Sequence, residues 1–405
     1  MLRLQSGHQV DLLEAGAQFF PALIAAIDGS QSAVHLETYI FHFEAAGGAV
    51  AQALERAALR GVDVKVVVDG IGTDPLPIAW EQRWMQAGVQ WHRFAPLGYL
   101  GWFWPKHWRR LHRKLCVVDA QVLFCGGINM LDDHVDPERG VLALPRFDFA
   151  VQVRGPLVLL ARETMLQFWN RLQVRQDLMR ARIKPSQISH MARVLLARNG
   201  RSGHDHGGGS LPVKGISATL VLRDNLRNRR SIEHTYRQAI AGARSEIIIA
   251  NAYFLPGAKL RRALVLAVRR GVRVRLLLQG QYEYFMQYHG ARLIIQSLLD
   301  AGIEIVEYQN GFLHAKVAVI DARWVTVGSS NLDPLSLLLA REANIVLESA
   351  TVANDLRRRL EEAMATHGVL LSAKPVLHRP LHHRIMDRVA HGLVRLLLWL
   401  SGKRY

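Results

Sequence analysis

Two histidine and lysine pairs set the chemistry open to this chain. His112 and Lys114 stand in His112-Arg113-Lys114-Leu115-Cys116-Val117-Val118-Asp119, and His314 and Lys316 stand in His314-Ala315-Lys316-Val317-Ala318-Val319-Ile320-Asp321. Both stretches read H-x-K-x-x-x-x-D. Gly126 and Asn129 follow the first at the same offsets as Gly328 and Asn331 follow the second. A single exposed strand face would explain one such pair, but not five positions recurring in register. The residue types suit a phosphate ester. Lysine neutralises a non-bridging oxygen as a point charge, and an imidazole with an ordinary pKa of about 6.5 can be nucleophile or acid near neutrality.

Each motif lies in a strand-like segment, where residues two apart share a face, so each His projects beside its Lys. If the halves pack about a pseudo-twofold axis, His112 and His314 meet across one phosphorus, one attacking while the other protonates the leaving oxygen. The catalytic set is then His112, Lys114, Asp119, His314, Lys316 and Asp321. Asn129, Ser329 and Asn331 hold phosphoryl oxygens, and Gly126, Gly127, Gly328 and Ser330 let backbone N–H groups approach. Four donors, Lys114, Lys316, Asn129 and Asn331, do there what a divalent cation does elsewhere, so neither metal nor cofactor is expected. Asp119 and Asp321, seven residues beyond each His, are placed more to fix a turn than to touch substrate.

The elements that must position these groups repeat as well. A helix over Gln18 to Ile27 precedes a strand from Ala33 to Phe43; a helix from Gly48 to Arg60 stops at Gly61 and feeds a strand over Val62 to Val68; Ile78 to Ala87 and Val89 to Phe94 follow. After the middle of the chain the series returns, with strands at Glu246 to Phe254, Val272 to Leu278 and Ile303 to Tyr308 and helices at Lys259 to Arg270 and Leu293 to Ala301. Alternation of this kind predicts an α/β fold of two similar lobes, each a mixed sheet flanked by helices, with one shared site. The lobes are expected at 1–180 and 215–372, a basic and glycine-rich linker at 181–214, and a basic amphipathic tail at 373–405. His204 and His206, in that linker, lack the further ligands of a metal site.

A chain of 405 residues, half of them apolar, can bury a sizeable core. Its net charge of +17 favours a polyanionic partner, whether nucleic acid, an anionic membrane or a phosphate-bearing substrate. Cys116 and Cys125 read as buried small hydrophobes in a reducing compartment, a cross-strand disulfide being the alternative. Met1 to Asp11 lacks the pattern of a secretory leader, and no stretch approaches the roughly 20 apolar residues of a membrane span, so membrane contact is expected to be peripheral.

The duplicated H-x-K-x4-D, with G-x-x-N or G-S-x-N behind it, resembles the phospholipase D superfamily over nearly the whole chain. Gly7 to Leu13, Phe19 to Pro21, Glu37-Thr-Tyr-Ile40, Leu111 to Lys114 and Asn251 to Gly257 are similar to the bacterial cardiolipin synthases of the short B type. The resemblance implies a two-step transfer through a phosphohistidine, with phosphatidylglycerol as donor. It also implies an acidic residue after each motif that orients a catalytic histidine, at Asp148 and Glu342. His112 is the nucleophile by analogy, and the symmetry of the motifs leaves the reverse open. Members with N-terminal spanning helices exist, and this chain shows none.

The halves differ in one respect. The stretch between Gly88 and His112 is twice as long as that between Gly302 and His314, and the excess carries Trp102, Phe103, Trp104 and Trp108 beside Lys106, Arg109 and Arg110. Basic and aromatic residues so mixed suit a membrane interface, as does the tail from His378 to Tyr405. The expected partners are an anionic phospholipid and a membrane surface, the cytoplasmic face of a bacterial membrane, with no nucleic acid and a monomeric chain. The alternatives are a water-using phospholipase D, a nucleic-acid phosphodiesterase of the same superfamily, and a catalytically silent membrane module, which the two intact motifs oppose.

Overall fold

The computed structural model describes residues 3–96, 109–136, 140–180, 215–224, 228–281, 285–333, 340–372 and 392. In the first half the elements are β1 (Gln5–Glu14), α1 (Ala15–Asp28), β2 (Ala33–Thr38), α2 (Ala45–Leu59), β3 (Asp63–Asp69), α3 (Ile78–Ala87), β4 (Gln90–Phe94), β5 (Arg110–Leu111), β6 (Leu115–Val118), β7 (Val122–Gly126), β8 (Val135–Asp136), β9 (Gly140–Val141), β10 (Phe149–Arg154) and α4 (Leu157–Arg180). In the second they are β11 (Ile216–Arg223), α5 (Ser231–Gly242), β12 (Glu246–Asn251), α6 (Ala258–Arg269), β13 (Arg273–Gln279), α7 (Phe285–Asp300), β14 (Glu304–Tyr308), β15 (Lys316–Ile320), β16 (Trp324–Gly328), β17 (Ala340–Glu348), α8 (Ala350–His367) and β18 (Gly368–Leu370). The linker expected at 181–214, the tail at 373–405 and the aromatic residues Trp102, Phe103, Trp104 and Trp108 lie outside the described residues.

One sheet of 16 strands runs through both halves in the order β18-β14-β13-β12-β15-β16-β17-β11-β1-β10-β7-β6-β2-β3-β4, with β5 on β17. The order is a palindrome about its middle. β4, β3, β2, β6, β7, β10 and β1 answer β14, β13, β12, β15, β16, β17 and β11, so the two lobes join edge to edge where β1 meets β11 in antiparallel register. Within each lobe three strands, β2, β3 and β4 or β12, β13 and β14, run parallel because helices carry the chain back between them; the inner ones are antiparallel, and β18 adds antiparallel to the edge of β14. Buried His8 fastens the seam: its Nε2 accepts from the Leu157 N–H at 3.1 Å, and its Nδ1 meets the Ile216 carbonyl at 3.1 Å.

Each lobe packs one face of its sheet against its own helices, around Leu23, Leu54 and Trp84 in the first and Ile240, Leu264 and Leu298 in the second. The other faces share a core with α4 and α8, in which Leu115 and Val151 of one lobe lie with Val317 and Ile345 of the other. Cys116 and Cys125 fall on opposite faces of their hairpin, in different cores, and both are free thiols, which removes the disulfide alternative. Burial pushes both thiols up, Cys125 to about 12. No helix among the described residues is long and apolar enough to cross a membrane.

Some expected limits change, and the strand expected over Glu246 to Phe254 stops at Asn251. The strand expected to run from Ala33 to Phe43 stops at Thr38, whose hydroxyl donates to the Ile40 carbonyl at 3.0 Å and turns the chain. The helix expected from Leu293 begins at Phe285.

Candidate active site

The first motif enters the site because β5 crosses to the other lobe. Arg110 and Leu111 pair in parallel with Ala340 and Arg341 of β17, and the His112 N–H then donates to the Arg341 carbonyl at 3.0 Å. The second motif does the same in reverse: Leu313 bridges Phe147, and the His314 N–H donates to the Phe147 carbonyl at 2.9 Å. Each histidine is therefore seated on the strand that leads into the opposite lobe's acidic residue. His112 Nδ1 lies 3.0 Å from Glu342 Oε2, and His314 Nδ1 lies 2.6 Å from Asp148 Oδ2. With Nδ1 so engaged, Nε2 of each ring has no partner among the described residues.

The cations lie beneath. Lys114 Nζ donates to the His112 carbonyl at 3.0 Å, and Lys316 Nζ donates to the His314 carbonyl. Burial is the first influence on His112, His314, Lys114, Asp148 and Glu342. It lowers the His112 pKa against the pull of Glu342, and it lowers His314 further, with Lys316 and Lys114 adding to the effect. Before substrate enters, both rings are shifted toward the neutral form, which a nucleophile needs. Burial and the facing Lys316 bring Lys114 down to about 7. Asp148 is pushed by burial up to about 6 although Lys316 opposes the shift. Burial would raise Glu342 too, but His112, Lys114 and the Ser329 hydroxyl outweigh it and hold that carboxyl below its ordinary range. Two imidazoles over two lysine side chains form a cradle for one phosphodiester.

A family model described as the cardiolipin synthase, phospholipase D-like domain matches residues 23–141 and again 236–364, once in each lobe. The chain belongs to that family. It is 36% identical over 364 residues to cardiolipin synthase B of Escherichia coli (strain K12), covering 89% of this chain and 81% of that protein. A probable cardiolipin synthase of Bacillus subtilis (strain 168) is 27% identical over 90% of this chain and 67% of its own length. The fold superposes on phosphatidylserine synthase of Haemophilus influenzae Rd KW20 with a TM-score of 0.68 over 96% of this chain and 94% of that one; at 14% identity the likeness is one of fold.

Within this cardiolipin synthase fold, several residues named from the sequence fall outside the cradle. Asp119 and Asp321 close the far ends of β6 and β15; five residues of extended chain put about 17 Å between Asp119 and Lys114. The Asp119 carboxylate accepts from the N–H groups of Gln31, Ser32 and Ala33 and from the Ser32 hydroxyl, all within 2.9 Å. Asp321 does the same for Arg244, Ser245 and Glu246. Both begin left-handed turns, with φ of 50° and 53°, where a short polar side chain is tolerated best. These two carboxylates, named with the catalytic set but expected from their spacing to fix a turn, bind the start of β2 and β12 at the strand ends away from the histidines and lysines.

Ser329 is also reassigned. Its hydroxyl donates to Glu342 Oε2 at 2.5 Å and accepts from the Ala343 N–H at 3.1 Å, fully buried, so it supports the carboxylate and not a phosphate. Nor are the N–H groups of Gly126, Gly127 and Ser329 open to an anion, since they donate to the carbonyls of Lys114, Phe149 and Ala343. Gly127 is small for another reason, since a Cβ there would sit 2.2 Å from Asp148 Oδ1. Asn129 Oδ1 accepts from the Ile40 N–H at 3.2 Å, which leaves its amide N–H2 to donate, while buried Asn331 has an unpartnered Oδ1.

Two further residues shape the site. Tyr39 lies with its ring 4.9 Å from that of His112 and 5.4 Å from Lys114 Nζ. Asp69, fully buried at the end of β3, accepts from the Leu111 N–H at 2.7 Å and from Arg110 at 3.1 Å, and so holds β5 in place. Tyr39 was within reach of the sequence, inside Glu37-Thr-Tyr-Ile40; Asp69, ending a strand, carried no motif at all.

Proposed function

We propose that this chain is a phosphatidyltransferase that forms cardiolipin from phosphatidylglycerol through a phosphohistidine. The observation that carries the reading is the pair of exchanged dyads, His112 with Glu342 and His314 with Asp148, over Lys114 and Lys316. His112 Nε2 attacks phosphorus and the P–O bond to the headgroup glycerol breaks; His314, which takes up a proton from solvent when the bound phosphodiester offsets the Lys114 and Lys316 charges that disfavour its protonation, gives that oxygen the proton. A second phosphatidylglycerol then enters, His314 takes the proton of its hydroxyl, the oxygen attacks phosphorus, and the P–N bond breaks. Cardiolipin and glycerol are the products, and both histidines return to their starting states. Lys114, Lys316 and Asn129 offset charge on the non-bridging oxygens, as preorganised donors do. Glu342 and Asp148 fix the tautomers and stabilise the imidazolium form.

His112 is assigned as nucleophile because Glu342, held ionised, suits the ring that becomes positively charged on phosphorylation. Asp148, near about 6, suits the ring that shuttles a proton. The enzyme acts as a peripheral monomer at the cytoplasmic face of the membrane, which it meets through Trp102, Phe103, Trp104 and Trp108 and through the basic tail. Substituting Ser for Trp102 and Trp104 then weakens binding to anionic vesicles; unchanged partitioning removes that contact.

Labelled phosphatidylglycerol vesicles and, separately, labelled single-stranded DNA, each with wild type and with His112→Ala and His314→Ala, decide the function. Cardiolipin from wild type alone supports it. Phosphatidic acid without cardiolipin makes the enzyme a hydrolase, and cleaved DNA with no lipid product makes it a nucleic-acid phosphodiesterase.

A further inference from the structure

A basic cleft of about 930 Å³ opens on the first lobe beside the reaction centre, floored by Phe94 at the end of β4 and Phe168 on α4. Five arginines line it, Arg93, Arg109, Arg171, Arg175 and Arg341, against the one carboxylate of Glu81. Arg93 is tied to the carbonyls of Gly70 and Thr73. Arg109, Arg171 and Arg175 are exposed, and no hydrogen bond or ion pair joins them to a described residue. Arg341 lies over the Phe168 ring at 4.7 Å and the Phe94 ring at 5.9 Å, with its Nε buried and unpartnered. Burial and the neighbouring Arg113 bring its guanidinium down to about 10. Although Glu81 lines the cleft and Glu37 and Asp224 lie near Arg341, the arginines outnumber these carboxylates and repel one another, so the arrangement is stabilised by an anion that enters it.

The second lobe supplies an internal comparison. By the palindrome of the sheet, Tyr308 and Phe147 stand there where Phe94 and Arg341 stand here, and α8 takes the place of α4. A cleft lies in that position too, of about 550 Å³, and it also carries arginines on its helix. Those arginines are satisfied: Arg359 pairs with Glu14 and Asp355, and Arg358 with Asp355 and Glu362. In the first lobe's copy Arg109, Arg171 and Arg175 have no ion pair among the described residues, and a cation, Arg341, replaces the aromatic Phe147. The difference between the two copies is one of charge satisfaction, which a purely structural role for the arginines does not require.

Joining two phosphatidylglycerols brings two phosphodiesters together, each with a negative charge, and the two His and Lys pairs cradle one. The attacking hydroxyl stands at the far end of a three-carbon headgroup, so the acceptor's phosphate must be held outside the cradle but next to it. Arg341 meets that condition, since its carbonyl accepts from the His112 N–H at 3.0 Å while its side chain lines the cleft. Guanidinium forks match phosphate oxygens, and the aromatic floor suits the glycerol carbons. We propose that this cleft binds the phosphodiester headgroup of a second anionic phospholipid, the acceptor, while the first is held on histidine. The assignment rests on the phosphatidyl transfer proposed above and adds to it a place for the second substrate.

The test uses the full chain with Arg171→Gln and Arg175→Gln together, two exposed positions on α4 away from the reacting atoms. Labelled phosphatidylglycerol vesicles are the donor, and the acceptor is phosphatidylglycerol, water-soluble glycerophosphoglycerol or uncharged glycerol. The expected result is a loss of at least about tenfold with the two phosphodiester acceptors, as for about 1.4 kcal/mol of lost acceptor binding, with glycerol exchange within twofold of wild type. Equal losses with all three acceptors, or no loss with any, overturn the proposal. Loss with the lipid but not with glycerophosphoglycerol assigns the cleft to the membrane surface and overturns it as a headgroup site. Loss of single-stranded DNA binding with lipid transfer unchanged overturns it in favour of nucleic acid. A wild type that yields no lipid product at all fails the function itself, whereas a cardiolipin-forming enzyme indifferent to the substitutions fails the cleft alone.

Discussion

His112 and Glu342 meet at 3.0 Å across the lobe boundary, and the pair His314 and Asp148 crosses it in the opposite direction. Each lobe thus carries a histidine whose orienting carboxylate belongs to the other. Duplication alone would not require this, since a copied unit could have kept its own dyad. What requires it is the crossing of β5 onto β17 for His112 and of Leu313 onto Phe147 for His314, which delivers each His backbone to the opposite strand before its side chain finds a partner.

Neutral isosteres of the carboxylates should disable chemistry and spare the fold. Glu342→Gln and Asp148→Asn keep the shape of each side chain but no longer stabilise an imidazolium, so kcat is expected to fall by at least about 100-fold in each. Thermal melting reports that the protein remains folded. A kcat within threefold of wild type in either variant would show that its carboxylate has no part in the reaction.

The pH dependence follows from two groups with opposite requirements. Asp148 must be ionised to hold the His314 imidazolium, and activity is lost as pH falls through about 6. Lys114 must be protonated to attract a phosphodiester, and affinity is lost as pH rises through about 7. Since kcat/KM reports the free enzyme, it should pass through a narrow maximum between those values. Its alkaline limb should lie in KM and not in kcat, because a bound anion keeps the ammonium charged. A flat profile from pH 5 to 8 contradicts the assignment.

Ser329 acts through Glu342, and its deletion has a signature that mere packing lacks. Ser329→Gly gives the second lobe the residue that the first already has at Gly127, and removes the donor that helps keep Glu342 ionised. The acid limb of kcat should move to higher pH and kcat should fall by roughly tenfold, as expected of about 1 to 2 kcal/mol from one lost charge-assisted bond. An unmoved limb with lowered stability alone would make Ser329 a packing residue.

Asp119→Ala tests the reassignment of the motif aspartates. Removing the acceptor of three backbone N–H groups and a hydroxyl should cost about 1 to 3 kcal/mol of stability, read by urea denaturation, with kcat per folded molecule within threefold. Burial would raise the Asp119 pKa, but those donors outweigh it and hold the carboxyl below its ordinary range. The stabilisation is therefore present above about pH 4 and lost as pH falls through the lowered value. A hundredfold loss of kcat in a stable Asp119→Ala enzyme returns the residue to the catalytic set.

The sequence was most legible where spacing and face decide the outcome. The helix over Ile78 to Ala87 runs between those residues in the structure, and its stop at Gly88 is a left-handed cap with φ of 89°. His112, Lys114, His314 and Lys316 come together because alternation along a strand fixes which side chains are neighbours. Illegible were features that depend on a distant partner. β1 alternates only weakly between buried and exposed positions, since its role is to pair with β10 and β11 and not to cover a helix. Ser329 reads as a phosphate ligand beside glycines, and only the fold shows Glu342 above it. The crossing of the dyads could not be read either, because spacing along the chain says nothing about which lobe answers which.

The palindromic sheet has a consequence for biosynthesis. β1 is made first, yet its place is the centre of the sheet, and β11 reaches it only when residue 223 has left the ribosome. Glu342 follows more than a hundred residues later. Until then His112 has no carboxylate and its backbone N–H no acceptor on β17, so a nascent or truncated chain holds a phosphate-seeking histidine that is not yet poised to react. Synthesis itself delays completion of the site, and a chain cut short before β17 lacks the carboxylate that orients His112.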